Sequence, residues 1–281
     1  MTITRQETEQ VERANASRKS PVVFIHGLWL LPSSWERWSA FFESAGYIAT
    51  TPGWPDDPHM VAEARARPEV LAGKSVGQVA AHMAEFVKQL NRKPAIVGHS
   101  FGGLLTQIVA GQGLCAVSVA IDPAPFRGVL PVPISALRAA GPVLLHPSNA
   151  GKAVSLTYTQ FLYGWANALE FEEARKLYDT YHVPGPGRPL FQAAFANLNP
   201  ASETKVDTRN PDRGPLLLIS GNADTTVPWS VVNAAYRLQK RNPAVTEVAR
   251  MPKRGHSLVI DHGWQEVAQT ALDFIKRFAK P

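Results

Sequence analysis

A single cysteine, Cys115, among 281 residues excludes an internal disulfide and suits a reducing compartment. It lies in an apolar stretch, so an inert buried thiol is expected there. Basic clusters longer than the doublets Arg18-Lys19, Lys240-Arg241 and Lys253-Arg254 are also missing. The formal net charge of +6 and the isoelectric point near 9.5 therefore come from scattered residues. Such an excess serves solubility, and no nucleic-acid partner is expected. Residues 1–20 lack the apolar core of a signal peptide, so a cytoplasmic protein is expected and Asn15-Ala16-Ser17 is a chance match to a glycosylation acceptor. Asp, Glu, Lys and Arg are all absent from residues 94–121. A membrane span is nonetheless not expected, because Pro94, five glycines, Gln107, Gln112 and the His99-Ser100 pair break the stretch. It reads as strand, turn, helix and strand, the buried heart of a parallel sheet. Internal repeats and low-complexity tracts are likewise missing.

What is present describes a globular chain, with 45% hydrophobic and 19% charged residues, long enough to bury a sizeable core. Residues 1–20 are polar and mixed in charge and are expected to form a mobile arm. Residues 22–25 form a β-branched apolar run that ends in His26-Gly27-Leu28-Trp29, so a buried strand delivers its end to a tight loop. Ser33 or Ser34 is placed to cap a helix whose Trp35, Trp38, Phe41 and Phe42 share one face and pack into the core. A strand over 47–50 follows. Ser75 and Gln78 then form a capping box ahead of a helix with an apolar stripe from Val76 to Leu90. Further strands are expected at 95–97, 116–121, 216–220 and 245–249, with helices running to about 110, over 229–240 and over 265–279. Residues 123–211 hold helical patterns and no convincing strand. Strands alternating with helices imply an α/β class with a mostly parallel sheet covered on both faces. The chain divides into an N-terminal arm (1–20), an α/β core (21–122 and 212–281) and an inserted helical cap (123–211).

The strongest local pattern is Gly98-His99-Ser100-Phe101-Gly102, between an apolar strand and an apolar helix. A serine hydroxyl becomes a nucleophile when a sharp strand-to-helix turn holds it clear of the backbone and a base takes its proton. That turn crowds the positions two before and two after, which must be tiny. Two further candidates also stand where strands end, the working edge of a parallel sheet. Asp224 closes Gly221-Asn222-Ala223-Asp224, and His256 lies in Arg254-Gly255-His256-Ser257. Asp122 ends another strand and is the rival acid. The spacing of His256, Asp261 and His262 fits no common zinc signature, so no metal site is expected. No partner is evident for His59, His82, His146 or His182.

Together, the serine pentapeptide, the upstream His26-Gly27, Asp224 and the late Gly255-His256 resemble the α/β-hydrolase superfamily over residues 21–279. That resemblance implies Ser100 as nucleophile, His256 as general base and acid, and Asp224 as the residue that orients the imidazole, with Asp122 the alternative. It implies an oxyanion hole from the backbone N–H groups of Leu28 and Phe101, with the side chains of Leu28, Phe101 and Trp29 lining the acyl pocket. His26 then shapes the oxyanion loop, and His99 is structural and points away. No cofactor is implied, because proton transfer and covalent catalysis need only side chains.

The resemblance implies hydrolysis of a small to medium carboxylic ester. Lactone, amide and thioester hydrolysis, cofactor-free perhydrolysis and a weakly catalytic small-molecule receptor are the alternatives. Tyr158, Phe161, Trp165, Phe191 and Phe195 are candidate walls of the substrate site. Tyr158, Phe161, Leu162 and Trp165 fall at i, i+3, i+4 and i+7, a spacing that suits packing inside the cap equally well.

Overall fold

The computed structural model describes residues 3–281. The chain opens with helix α1 (Arg5–Ala16), strand β1 (Pro21–Ile25), helix α2 (Glu36–Ser44) and strand β2 (Ile48–Thr50). Helices α3 (Val61–Ala66) and α4 (Val76–Lys88) lead to β3 (Ala95–His99), α5 (Phe101–Gly111) and β4 (Val117–Ile121). Next come α6 (Ile134–Leu144), β5 (Ala153–Val154), α7 (Tyr158–Gly164), α8 (Phe171–Tyr181), β6 (Gly185–Pro186) and α9 (Arg188–Ala194). The chain ends with β7 (Leu216–Gly221), α10 (Trp229–Gln239), β8 (Thr246–Met251) and α11 (Trp264–Lys276).

Six strands form one sheet in the order β2-β1-β3-β4-β7-β8, every pair parallel. The apolar runs of β1, β3, β4 and β7 are buried at every residue, as strands covered on both faces must be. On one face α5 packs on β3 and β4, α4 packs on α5, and α10 joins them through a bond from Gln239 Nε2 to Gln107 Oε1. On the other, α2 packs against α11, and Phe24 of β1 meets Trp35, Trp38 and Phe42 at ring-centroid distances of 5.2 to 6.1 Å. Because all strands run the same way, their carboxyl ends share one edge, where the serine turn, Asp122, Asp224 and His256 gather.

Several expectations change. Residues 5–16 are a helix, not a mobile arm; Met1 and Thr2 lie outside the described residues. Helix α1 starts at a capping box between Thr4 and Glu7 and buries Glu7, Val11 and Ala14. Glu7 reaches His82 of α4 at 2.8 Å, a partner for a histidine that had none in sequence. Ser34 does not cap α2; its hydroxyl donates to the Leu31 carbonyl, and a 3₁₀ turn at Pro32–Trp35 precedes the helix. The Ser75–Gln78 capping box does form. Residues 123–211 contain a two-residue antiparallel ribbon, β5 with β6, too short to leave a periodic pattern. Strand β8 sits one to two residues later than expected, and α11 ends at Lys276, leaving Phe278 partly exposed. Burial pushes the Cys115 thiol up to about 12, so it stays protonated.

Candidate active site

Strand β3 ends at His99, and α5 begins at Phe101, so Ser100 turns the chain alone, at φ 56° and ψ −121°. A non-glycine residue holds that conformation only when its surroundings over-determine it. The confinement is visible around its neighbours. A Cβ at Gly98 would lie 2.2 Å from the Gly102 carbonyl oxygen, and one at Gly102 would lie 2.0 Å from that of Ile25. Backbone therefore presses on backbone from both sides, and the seryl side chain is lifted off the end of the sheet.

The His256 ring meets that side chain. Its Nε2 lies 3.0 Å from Ser100 Oγ, and its Nδ1 lies 2.6 Å from Asp224 Oδ2. With an ionised carboxylate on one side, Nδ1 carries the proton and donates to Asp224. Nε2 is then the acceptor for the seryl proton. Asp224 is fixed in turn by its own loop, for Oδ1 accepts the N–H groups of Thr226 and Val227 at 2.7 and 2.8 Å. This Asx turn is a signal that Asp224-Thr225-Thr226-Val227 carried in sequence. The three side chains are almost wholly buried, which strengthens each contact. Asp122, the rival acid, makes no bond to His256; its Oδ1 accepts the Gly221 N–H at 2.9 Å.

Beside the serine stands the loop after β1. A Cβ on Gly27 would lie 2.8 Å from Ser100 Cβ and 3.3 Å from the Phe101 nitrogen, so the loop can approach only as glycine. Among the described residues neither the Leu28 nor the Phe101 N–H has an intramolecular acceptor. His26 props the loop from behind: Nδ1 lies 2.9 Å from the Gly27 carbonyl, Nε2 lies 2.8 Å from Asp57 Oδ2, and the Trp54 ring stacks on it. Asp57 was not legible as a site residue, because only the folded loop brings it to His26.

A cavity of about 180 Å³ opens over Ser100 and Phe101. Its walls come from Trp29, the loop after β4, α6, Trp165 and α9, and no lining side chain carries a charge. A larger cleft of about 700 Å³ runs between α1 and α2 and touches none of Ser100, Asp224 and His256. Trp29, Phe101 and Trp165 line the cavity, whereas Leu28 is buried and does not. Tyr158, Phe161, Phe191 and Phe195 are corrected too. Tyr158 and Phe161 pack against Tyr178 inside the inserted segment, Phe191 packs against the core from outside the cavity, and Phe195 is exposed. The helical spacing of the first two expressed internal packing.

Two histidines differ from expectation. His99 does not point away; its ring centroid is 4.6 Å from that of His256, and burial, then the nearby His256 charge, hold its pKa well below the usual value. It is a neutral wall beside the His256 ring. His182 accepts the Leu156 N–H at 3.1 Å, stacks on Tyr178, and burial draws its pKa down to about 4. Asp122, Asp224 and His256 offer ligand atoms within 4.8 Å of one another. A cation there would have to take a ring nitrogen already bonded to Asp224 or Ser100, so the set does not fit a metal centre.

Solved structures share this architecture. A monoacylglycerol lipase from Paleococcus ferrophilus is 19% identical, with 92% of this chain and 95% of that one covered and a TM-score of 0.61. A pyrethroid hydrolase from Sphingobium faniae is 14% identical over 91% and 96%, at a TM-score of 0.61. Polyneuridine aldehyde esterase is 18% identical over 92% and 99%, at a TM-score of 0.62. Comparison with curated protein sequences found no match. A sequence model described as the alpha/beta hydrolase family matches residues 22–270. Strand order, serine turn and matched span lead to one assignment: the chain belongs to the α/β-hydrolase family.

Proposed function

We propose that the protein hydrolyses uncharged carboxylic esters of small to medium size through an acyl-enzyme on Ser100. The observation that carries this reading is the 3.0 Å contact between His256 Nε2 and Ser100 Oγ on the floor of an uncharged cavity, with Asp224 at 2.6 Å behind the ring. Ser100 Oγ attacks the ester carbonyl carbon as its proton passes to Nε2. Asp224 stabilises the imidazolium formed. Negative charge on the carbonyl oxygen is met by the N–H groups of Leu28 and Phe101, each such donor contributing about 3 kcal/mol to the transition state. The imidazolium then protonates the leaving alcohol. Water, deprotonated by the same nitrogen, attacks the acyl carbon and regenerates Ser100. Residues 123–211 act as the cap over this site. The uncharged walls favour substrates without a charge near the scissile bond, since a buried ion would find no partner.

The lipase, the pyrethroid hydrolase and the esterase named above support ester chemistry on this fold. Purified protein exposed to a fluorophosphonate probe and to nitrophenyl esters of rising chain length tests the reading. Wild type is expected to be labelled and to turn over, and Ser100→Ala to lose labelling and about 10⁴-fold or more of kcat. Tight ester binding without turnover in wild type would overturn it in favour of a receptor.

A further inference from the structure

Asp122 is a buried carboxyl for which the mechanism above has no use. It sits fully buried at the end of β4, at φ 37°, a left-handed backbone unusual for a residue with a side chain. One of its carboxyl oxygens lies within 4.8 Å of a carboxylate oxygen of Asp224 and of a ring nitrogen of His256.

The acceptor count around these groups is uneven. An ionised carboxylate offers about four acceptor positions. Asp224 has three filled: two on Oδ1 by Thr226 and Val227, and one on Oδ2 by His256. Asp122 has Oδ1 bonded to the Gly221 N–H, while Oδ2 is buried with no partner among the described residues. Two side-by-side anions without a lysine or arginine paired to either would repel strongly in so dry a place. The titratable groups that face them are each other, His256 from the loop after β8 and, beyond its ring, His99 from β3. A single proton resolves both the repulsion and the empty positions. Three hydrogen bonds stabilise Asp224 as the anion, against one backbone bond from Gly221 and the neighbouring Ser220 hydroxyl at Asp122, so the proton belongs on Asp122.

We propose that Asp122 is protonated and donates a hydrogen bond from Oδ2 to the vacant acceptor position on Asp224 Oδ2, making it a positioning residue for the carboxylate that orients His256. The inference rests on the triad reading above. Burial, reinforced by the charge of Asp224, pushes the Asp122 carboxyl well above the usual carboxylate range. Asp122 is not among the residues that line the cavity. It locks Asp224 from the side opposite the Asx turn and leaves the imidazole one geometry. At alkaline pH its ionisation adds a second anion beside Asp224, and the alignment is lost.

The test compares wild type with Asp122→Asn and Asp122→Leu. An asparagine amide donates where the protonated acid did and accepts from Gly221 as before, whereas leucine does neither. Asp122→Asn is expected to keep kcat within about threefold at pH 7 and to hold its plateau beyond the pH at which wild type declines. Asp122→Leu is expected to lose about 10- to 100-fold in kcat with KM little changed. A difference infrared spectrum, wild type minus Asp122→Asn at pH 7, should show a protonated-carboxyl stretch, a readout independent of activity and of how well Asp122→Leu folds. Absence of that stretch, an Asp122→Asn loss as large as that of leucine, or coincident pH profiles would each overturn the proposal. Retained turnover in Ser100→Ala would instead sink the triad reading and leave the infrared result standing.

Discussion

Ser100 can occupy its strained conformation because two glycines let the backbone close around it. The near-overlap at Gly102 is with a main-chain oxygen of β1, 2.0 Å from where a Cβ would be, and main chain in a buried strand cannot swing aside as a side chain does. Gly102→Ala is therefore expected to cost about 3 kcal/mol or more, the upper end for overpacked cores. A urea midpoint unchanged from wild type would contradict this. Gly103 is less tight: its Cβ would lie 3.0 Å from Pro123 atoms and 3.1 Å from the Gly98 carbonyl oxygen, about 1 Å farther than the contact at Gly102, so Gly103→Ala should be milder in the same assay.

Helix α1 shows how a polar element can carry a buried pair into its docking face. Its mean composition is polar, and the sequence offered no stripe wide enough to reveal a docking face. Alongside the buried Val11 and Ala14, Glu7 docks it: its carboxylate accepts from Thr4 at its own helix start and meets His82 on α4. Burial works to raise the Glu7 pKa, but the bonds to His82 and Thr4 outweigh it and hold the group below 4.5. A carboxyl with a lowered native pKa contributes stability that is complete above the unfolded value and fades as the pH falls through the folded one. Glu7→Gln is thus expected to destabilise by about 1 to 3 kcal/mol at pH 7, with the deficit shrinking below pH 4.5. Urea titrations of both proteins at pH 7 and pH 4 check it, and a pH-independent deficit would contradict it.

Across the whole molecule, the far edge of the sheet depends on Arg213, just before β7. It is fully buried yet has no carboxylate partner. Its guanidinium donates instead to the carbonyls of Gly214, Gln239, Ala244 and Val245, to Gln239 Oε1 and to Thr246 Oγ1. These acceptors include the carboxyl end of α10, where the helix dipole favours a cation. Burial draws its pKa down to about 10, which still leaves it charged at neutral pH. One side chain therefore joins β7, α10 and β8. Arg213→Met should cost about 3 kcal/mol or more, because several buried carbonyls lose their donor at once. Thermal unfolding with a midpoint unmoved from wild type would exclude that role.

Sequence by itself determined what neighbouring residues decide. Buried parallel strands need continuous apolar runs, a seryl turn needs glycines two residues to either side, and an Asx turn needs its aspartate ahead of free N–H groups. Hence the sheet was legible from local pattern, and Ser100, Asp224 and His256 stood out as candidates at strand ends, with Asp122 as the rival acid. Tertiary structure alone decided which face of each helix met which neighbour, since periodicity marks an apolar face without naming what covers it. It turned Tyr158, Phe161, Phe191 and Phe195 away from the cavity, docked α1 in part through His82, and set Arg213 among acceptors from α10, β8 and the loops beside them. It also placed Asp122 beside Asp224, two carboxyls about a hundred residues apart in sequence whose shared burial is what makes their protons interdependent.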